Sequence, residues 1–346
     1  MSNINLKEEL HNYFMLYADC FLTKGYTRTM LYDVTKKRAF FIDNAYYDVI
    51  KDLEKRTLKE VTESIRKEDR KEFYDFINQM VENNFGVIID QPEYFPRIPQ
   101  EWDSPHEITN AIIDIRDSAH NYSDIFEQLD SLLCPFIQLR SYVELKPKEI
   151  TEILKSYDRL YEFTHIEIIL KFSKNLMVDE FLDLLKRFKM ISLVFHSVGD
   201  KSLVDDLNDI SSRMSFIKQA FNSCDNCGII NKSTMRFPEM REYMENTLYN
   251  NCLNRKISID EDGEIKNCPS MKNSFGKVNE RTLKSVLHNK DFTEVWKINK
   301  EQIQVCRDCE YRHVCSDCRA YVSDSSNIYS KPLKCGYDPY SGVWEN

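Results

Sequence analysis

Four cysteines stand inside the stretch VCRDCEYRHVCSDCRAY, residues 305–321, where Cys306, Cys309, Cys315 and Cys318 are spaced C-x2-C-x5-C-x2-C. A segment with thiols this dense folds around a metal, a redox pair or crosslinks. The compartment narrows the choice. The N-terminus, MSNINLKEELHNYF, carries charges and lacks the apolar run of a signal peptide. No window approaches the eighteen apolar residues of a membrane span. The chain therefore reads as cytoplasmic, with no membrane partner. There, structural disulfides are rare and close-set cysteines serve metals or redox chemistry.

Of eleven cysteines, only Cys20 and Cys134 precede residue 224, and both read as small buried hydrophobes. The rest lie between 224 and 335. Cys252 and Cys268 bracket CLNRKISIDEDGEIKNC, in which KISID and EIKNC alternate apolar with polar and Gly263 supplies a turn. That is a hairpin pattern. A hairpin brings its ends together, so Cys252 and Cys268 are placed to ligate one centre. Cys335, in PLKCGYD, closes the series. Thiolates suit tetrahedral zinc and iron–sulfur clusters alike, so ligand type leaves both open. Just upstream, SCDNCGII offers Cys224 and Cys227, as further ligands, a separate half-site or two reduced thiols before Gly228.

The pattern C-x10-G-x4-C, a gap, C-x2-C-x5-C-x2-C, a gap and a last cysteine resembles the SPASM domain, the auxiliary-cluster domain at the C-terminus of many peptide-modifying radical-SAM enzymes. It departs in one respect: two residues, Ser316 and Asp317, stand where the usual pattern has three. The resemblance implies two [4Fe-4S] clusters. Cys252, Cys268 and Cys318 would serve the first, with Cys224 or Cys227 as fourth ligand. Cys306, Cys309, Cys315 and Cys335 would serve the second. Radical-SAM enzymes also need a C-x3-C-x2-C loop, and residues 1–223 hold only Cys20 and Cys134. No S-adenosylmethionine site is expected.

The middle of the chain alternates strand and helix patterns. EITNAIIDI (107–115), PFIQLRSY (135–142), HIEIILKF (165–172) and MISLVFHS (190–197) read as strands, separated by the helical runs DIFEQLDSLL, KPKEITEILKSY and MVDEFLDLLKRF. Such βαβ units imply a parallel sheet. The segment resembles a partial (β/α) radical-SAM-like barrel with RDSAHNYSD where the cysteine loop would stand. His106, His120, His165 and His196 lack metal-ligand spacing and read as structural, while His313, among the cysteines, is the best-placed histidine for a ligand or supporting role. No G-x-S-x-G, P-loop or G-x-G-x-x-G occurs.

YADCFLT (17–23), RTMLYDVT (28–35) and RAFFID (38–43) read as three short strands, followed by helices over 44–53, 57–65 and 68–85 with Asn44 and Thr57 as N-caps. GVIID reads as a returning strand. The Pro-rich 91–105 reads as a linker. Three strands then three helices resembles the winged-helix RiPP recognition element, which binds a precursor's leader as an added strand. The matching groove lies between 38–43 and 68–85, with Phe40, Phe41, Ile42, Phe73 and Ile77 as expected contacts.

The expected α/β organisation is thus a leader-binding α+β module (1–90), a linker (91–105), a degenerate radical-SAM-like domain (106–223) and a SPASM-type domain (224–346). The whole resembles the grasp-with-spasm peptide maturases, which implies a ribosomally made precursor peptide and an ATP-grasp ligase as partners. Such a chain assists maturation rather than performing radical chemistry. A zinc-stabilised peptide-binding scaffold and a peptide-modifying enzyme using an auxiliary Fe-S cluster are the alternatives. The net charge of −9 argues against a general nucleic-acid binder.

Overall fold

The computed structural model describes residues 9–116, 120–155, 165–173, 175–199 and 210–345. Tyr13–Leu16 (β1) is followed by Cys20–Lys24 (β2), Thr29–Asp33 (β3) and Arg38–Ile42 (β4). The last three form an antiparallel meander in the order β2-β3-β4, so β4 is an edge strand. Asn44–Leu53 (α1), Leu58–Ser64 (α2), Arg70–Glu82 (α3) and Gly86–Ile89 (β5) follow. β5 pairs antiparallel with β1, a strand that the local pattern did not reveal. Thr57 caps α2 in a capping box with Glu60. The α1 cap is Asp43, not Asn44: the Asp43 carboxylate accepts from the Ala45 N–H at 2.8 Å. Asn44 instead donates to the carbonyls of Gly25 and Tyr26 at 3.0 and 3.1 Å, tying α1 to the β2–β3 turn.

Side chains alternate across a strand, and both faces of the meander are covered. Cys20, Leu31 and Ile42 pack against α1, α2 and α3 through Ile50, Val61, Phe73, Ile77 and Met80. On the opposite face Phe21, Met30, Tyr32 and Phe41 pack against Tyr243, Tyr311, Val314 and Tyr337 of the cysteine-rich region. The meander is a middle layer. Its β2–β3 turn docks on the Cys309–Cys315 loop. The Tyr26 N–H donates to the Asp308 carbonyl at 2.7 Å and Arg312 donates to the Lys24 carbonyl at 2.7 Å. Arg28 pairs at 2.7 Å with Glu310, whose side chain is fully buried and also accepts from the Tyr337 hydroxyl at 2.5 Å. An uncompensated buried carboxylate is costly, and Arg28 is itself a third exposed. Arg28→Ala is therefore expected to lower unfolding stability by about 2 kcal/mol, less than for a fully buried pair. Chemical denaturation measures it; an unchanged midpoint would refute the role given to this pair.

The Pro-rich segment is anchored rather than loose. Arg97 donates to the carbonyls of Tyr17 and Cys20 at 3.1 and 3.3 Å and pairs with Glu54. Trp102 packs edge-on against Tyr249.

Beyond it lie Asn110–Ile115 (β6), Tyr122–Ser131 (α4), Phe136–Ser141 (β7), Pro147–Ile153 (α5), His165–Lys171 (β8), Val178–Arg187 (α6), Ile191–His196 (β9) and Met214–Phe216 (β10). Asp117–Ala119 of the RDSAHNYSD loop and the end of the expected helix at 156–157 lie outside the described residues. The sheet has seven strands in the order β10-β9-β8-β7-β6-β11-β12, where β11 is Lys256–Ile259 and β12 is Ile265–Lys266. β6 to β10 run parallel, and β11 adds parallel to β6. Among the described residues the sheet is open, with β10 and β12 as its edges. The cysteine-bearing hairpin thus extends the α/β sheet instead of standing apart. One sheet face, including Ile113, Leu139, Ile168 and Leu193, is buried beneath α4, α5 and α6. The other carries Asp114, Gln138, Arg140 and Glu167, with Gln138 bonded to Glu167 at 2.6 Å. Among the described residues no helix is long and apolar enough to cross a membrane.

Candidate metal centres

The hairpin β11–β12 fixes the first set of thiols. Cys252 stands before β11 and Cys268 after β12, so strand pairing delivers both to one end. Cys227 joins them: the neighbouring Cys268 holds the Cys227 thiol below its usual range and is itself raised by Cys227. Cys318 is the fourth. Burial raises its thiol, and the nearby Cys252 and Cys227 add to the rise. The approach depends on Gly228, whose φ is +85° and where a β-carbon would lie 2.9 Å from the Cys318 Sγ. Lys256 places its Nζ 3.6 Å from the Cys252 Sγ. Burial alone lowers this ammonium, but Cys252, Cys268 and Cys227 reverse that and raise it.

Cys224 and Cys227 line one small cavity of about 20 Å³ beside Arg140 and Tyr142, and the Cys224 carbonyl accepts from the Ser270 hydroxyl at 2.8 Å. Arg140 and Tyr142 belong to a network at the C-terminal ends of the parallel strands. Arg140 bridges both Asp114 oxygens at 2.7 and 2.8 Å, and the Tyr142 hydroxyl donates to Asp114 at 2.6 Å.

Cys306, Cys309, Cys315 and Cys335 form the second set. The first three are at most 9% exposed. Burial pushes Cys306 up to about 12, with Lys300 opposing and Cys315 and Cys335 adding to the rise. Lys300, only 4% exposed, donates to the Cys315 Sγ at 2.6 Å and to the Ser316 carbonyl. Burial lowers its ammonium, yet Cys315, Asp317 and Cys306 raise it further. Asp317 is locked by Arg319 at 2.7 and 2.8 Å and by Asn250 at 2.6 Å. His313 turns to Glu301, 3.2 Å from its Nε2, and packs on Tyr243.

The two sets are neighbours. Asn251 donates to the Cys315 carbonyl at 2.7 Å, and Lys334 donates to the Cys227 carbonyl at 2.9 Å. Ile230 bonds to Lys334 and Gly336 on either side of Cys335. The other histidines make structural bonds: His120 to the Asp114 carbonyl at 2.9 Å, His165 to Ser192 at 3.0 Å and His196 to the Ser141 carbonyl at 3.2 Å. Arg255 donates to the His106 carbonyl.

Four thiols beside a buried lysine suit an iron–sulfur cluster or a tetrahedral zinc ion alike in donor type. Tetrahedral zinc with bonds of about 2.3 Å holds its sulfurs about 3.8 Å apart. Among the described residues the one trio of ligand atoms within 4.8 Å of one another is Asp19, Cys20 and Asp33. Neither thiol set is drawn in so tightly. That trio is already served by cations: Asp33 pairs with Arg38 at 3.0 Å and Lys36 at 3.2 Å.

At β4 the structure forms a groove of about 650 Å³ against α3. Phe40, Phe41 and Ile42 line it. Phe73 and Ile77 do not: they are 3% and 0% exposed and belong to the core beneath the meander. α3 shows the groove its neighbouring face, with Glu72, Asp75, Phe76 and Gln79. The two lysines of the thiol sets were not legible beforehand, since nothing local separates a lysine that faces sulfur from one that faces water.

This arrangement of thiols belongs to a recognisable class. Residues 251–310 match the SPASM family, described as an iron-sulfur cluster-binding domain. The match takes in Cys252, Cys268, Cys306 and Cys309, and it implies iron–sulfur cluster binding. No curated protein matches the chain. Among solved structures, the chain is similar to Streptococcus suis SuiB bound to S-adenosylmethionine, at 11% identity and a TM-score of 0.34, covering 93% of this chain and 100% of that one. It is also similar to SuiB bound to the precursor peptide SuiA, at 11% identity and a TM-score of 0.30, covering 92% and 98%. Likeness at this level carries no argument about activity.

Proposed function

We propose that this chain binds the leader of a ribosomally made precursor peptide along β4 and assists its maturation beside an ATP-grasp ligase. In this reading it carries two [4Fe-4S] clusters and acts in the cytoplasm. Residues 1–90 act as the leader-binding module and 224–346 as the cluster-bearing domain. The observation that carries the reading is the convergence of eight cysteines in two sets of four, the second packed directly on the sheet whose open edge forms the groove. Cys227, Cys252, Cys268 and Cys318 would hold one cluster, and Cys306, Cys309, Cys315 and Cys335 the other. Bound there, a cluster supplies a redox-capable inorganic core and a crosslink between distant segments. This chain's residues do the rest. Lys256 and Lys300 offset thiolate charge, Gly228 admits Cys318, and the Tyr311 ring, 5.5 Å from Phe41, joins the second set to the groove.

Residues 1–223 lack three cysteines for an S-adenosylmethionine loop, so cleavage of that compound is not expected. Anaerobic purification followed by iron, sulfide and zinc analysis tests the reading. Iron and acid-labile sulfide in equal amounts are expected. Stoichiometric zinc without sulfide would replace the clusters with a zinc scaffold. Incubation of the loaded protein with reductant and S-adenosylmethionine should yield no deoxyadenosine above a protein-free control. A mass change in precursor incubated with loaded protein and reductant, without ligase, would make this chain an enzyme.

A further inference from the structure

The groove at β4 carries information about its occupant. Four consecutive residues, Phe40 to Asp43, line it. Successive strand side chains point to opposite faces, so all four border one groove only where it runs along the strand's edge. Among the described residues β4 has β3 on one side and no strand on the other. An occupant lying along it therefore meets backbone N–H and C=O groups and is received in extended form.

The groove is also negative. Asp43, Glu72, Asp75 and Glu82 line it, and among the described residues no lysine or arginine does. Lys71 pairs with Asp75 at 2.8 Å but stands outside the groove, 88% exposed. Burial and the Glu72 carboxylate, which accepts from its hydroxyl at 2.7 Å, push the Tyr46 phenol up to about 12. The Asn78 Oδ1 is buried without a partner, one more acceptor in the lining. Beneath them Tyr46 and Phe76 stack at 3.9 Å. Such a floor takes the alkyl stems of long cationic side chains and the cations themselves. From Glu72 to Glu82 the helix rises about 15 Å, the length of about four to five extended residues.

We propose that the occupant is an extended basic peptide segment, with lysine or arginine side chains two or four residues apart facing α3 while its backbone pairs with β4. This rests on the peptide-binding reading above and names the chemistry it selects.

The test uses the full-length chain, because the meander is completed by the cysteine-rich region. The probes are three fluorescent synthetic peptides of about ten residues, alternating valine with lysine, with glutamate or with serine, the length being about twice the acidic span. Glu72→Gln, Asp75→Asn and Glu82→Gln combined remove three exposed groove charges. A control removes the same number from α6: Asp179→Asn, Glu180→Gln and Asp183→Asn. In fluorescence anisotropy the lysine peptide is expected to bind the wild type and the α6 control alike. Binding should fall at least about tenfold in the groove variant and weaken as salt is raised, since screening shortens the reach of exposed charges. N-methylation of alternate backbone nitrogens should weaken binding on one register and spare the other. Equal binding of the glutamate or serine peptide, equal loss in the α6 control, or indifference to the groove substitutions overturns the basic-peptide assignment while leaving peptide binding by this chain standing. Failure of all three peptides to bind the wild type counts against the peptide-binding reading itself. A wild-type dimer that dissociates on the groove substitutions overturns the proposal in favour of a second copy of this chain.

Discussion

Cys315→Ser removes iron and sulfide from the second thiol set and lowers the soluble yield of the whole chain. Cys315 is 9% exposed, accepts from Lys300 at 2.6 Å and packs against the back of the N-terminal meander. Metal binding in a thiolate region is coupled to its folding, so losing one ligand loses stability as well. About half of the bound iron should disappear, since one of two sets is broken. The effect should spread: Met30 and Tyr32, fully buried against the same cluster of side chains, should gain protease access nearby. Cys20→Ser is the comparison, a buried thiol outside both sets, and it should keep full iron content. Metal analysis with limited proteolysis decides the matter. Wild-type iron and proteolysis in the Cys315→Ser protein would dismiss the second set as a metal centre.

Lys300→Met should leave the fold recognisable and change the electronics of the second centre. A side chain of similar length keeps most of the packing while the charge goes. An ammonium this close to a thiolate favours added electrons, so its removal makes reduction harder. At an effective dielectric of about 20 and a separation of about 5 Å, one charge contributes about 3 kcal/mol. For a one-electron couple this corresponds to a shift on the order of 100 mV to more negative potential. Potentiometric titration followed by electron paramagnetic resonance reads it. A potential equal to wild type with full iron content would mean that the Lys300 charge is not felt at the cluster. Loss of iron instead would assign Lys300 to holding the site together.

Much of the candidate site was legible because it is written in local spacing. The hairpin between Cys252 and Cys268 needs only alternation and a turn glycine, and it forms as expected. The three βα repeats from β6 to α6, and the strand β9 after them, follow from alternating periods. What escaped was long-range. β11 joins β6, far earlier in the chain, and no period within KISID announces that partner. β1 and β10 are three or four residues long and take their identity from β5 and β9. Phe73 and Ile77 were read as groove contacts because they are apolar on the correct helix. The apolar stripe faces the core, and the polar flank beside it faces the groove. The pairing of Arg28 with Glu310 spans 282 positions; each residue alone looks like an ordinary surface charge.

The middle-layer position of the meander sets a schedule for biogenesis. Residues 20–42 leave the ribosome about 200 residues before the groups that cover their second face, among them Tyr243, Tyr311 and Tyr337. Until then the nascent chain presents Phe21, Met30, Tyr32 and Phe41 to chaperones and proteases. The final cover is itself the cysteine-rich region. On the proposed reading, recognition of a peptide at β4 is the last competence the newborn chain acquires.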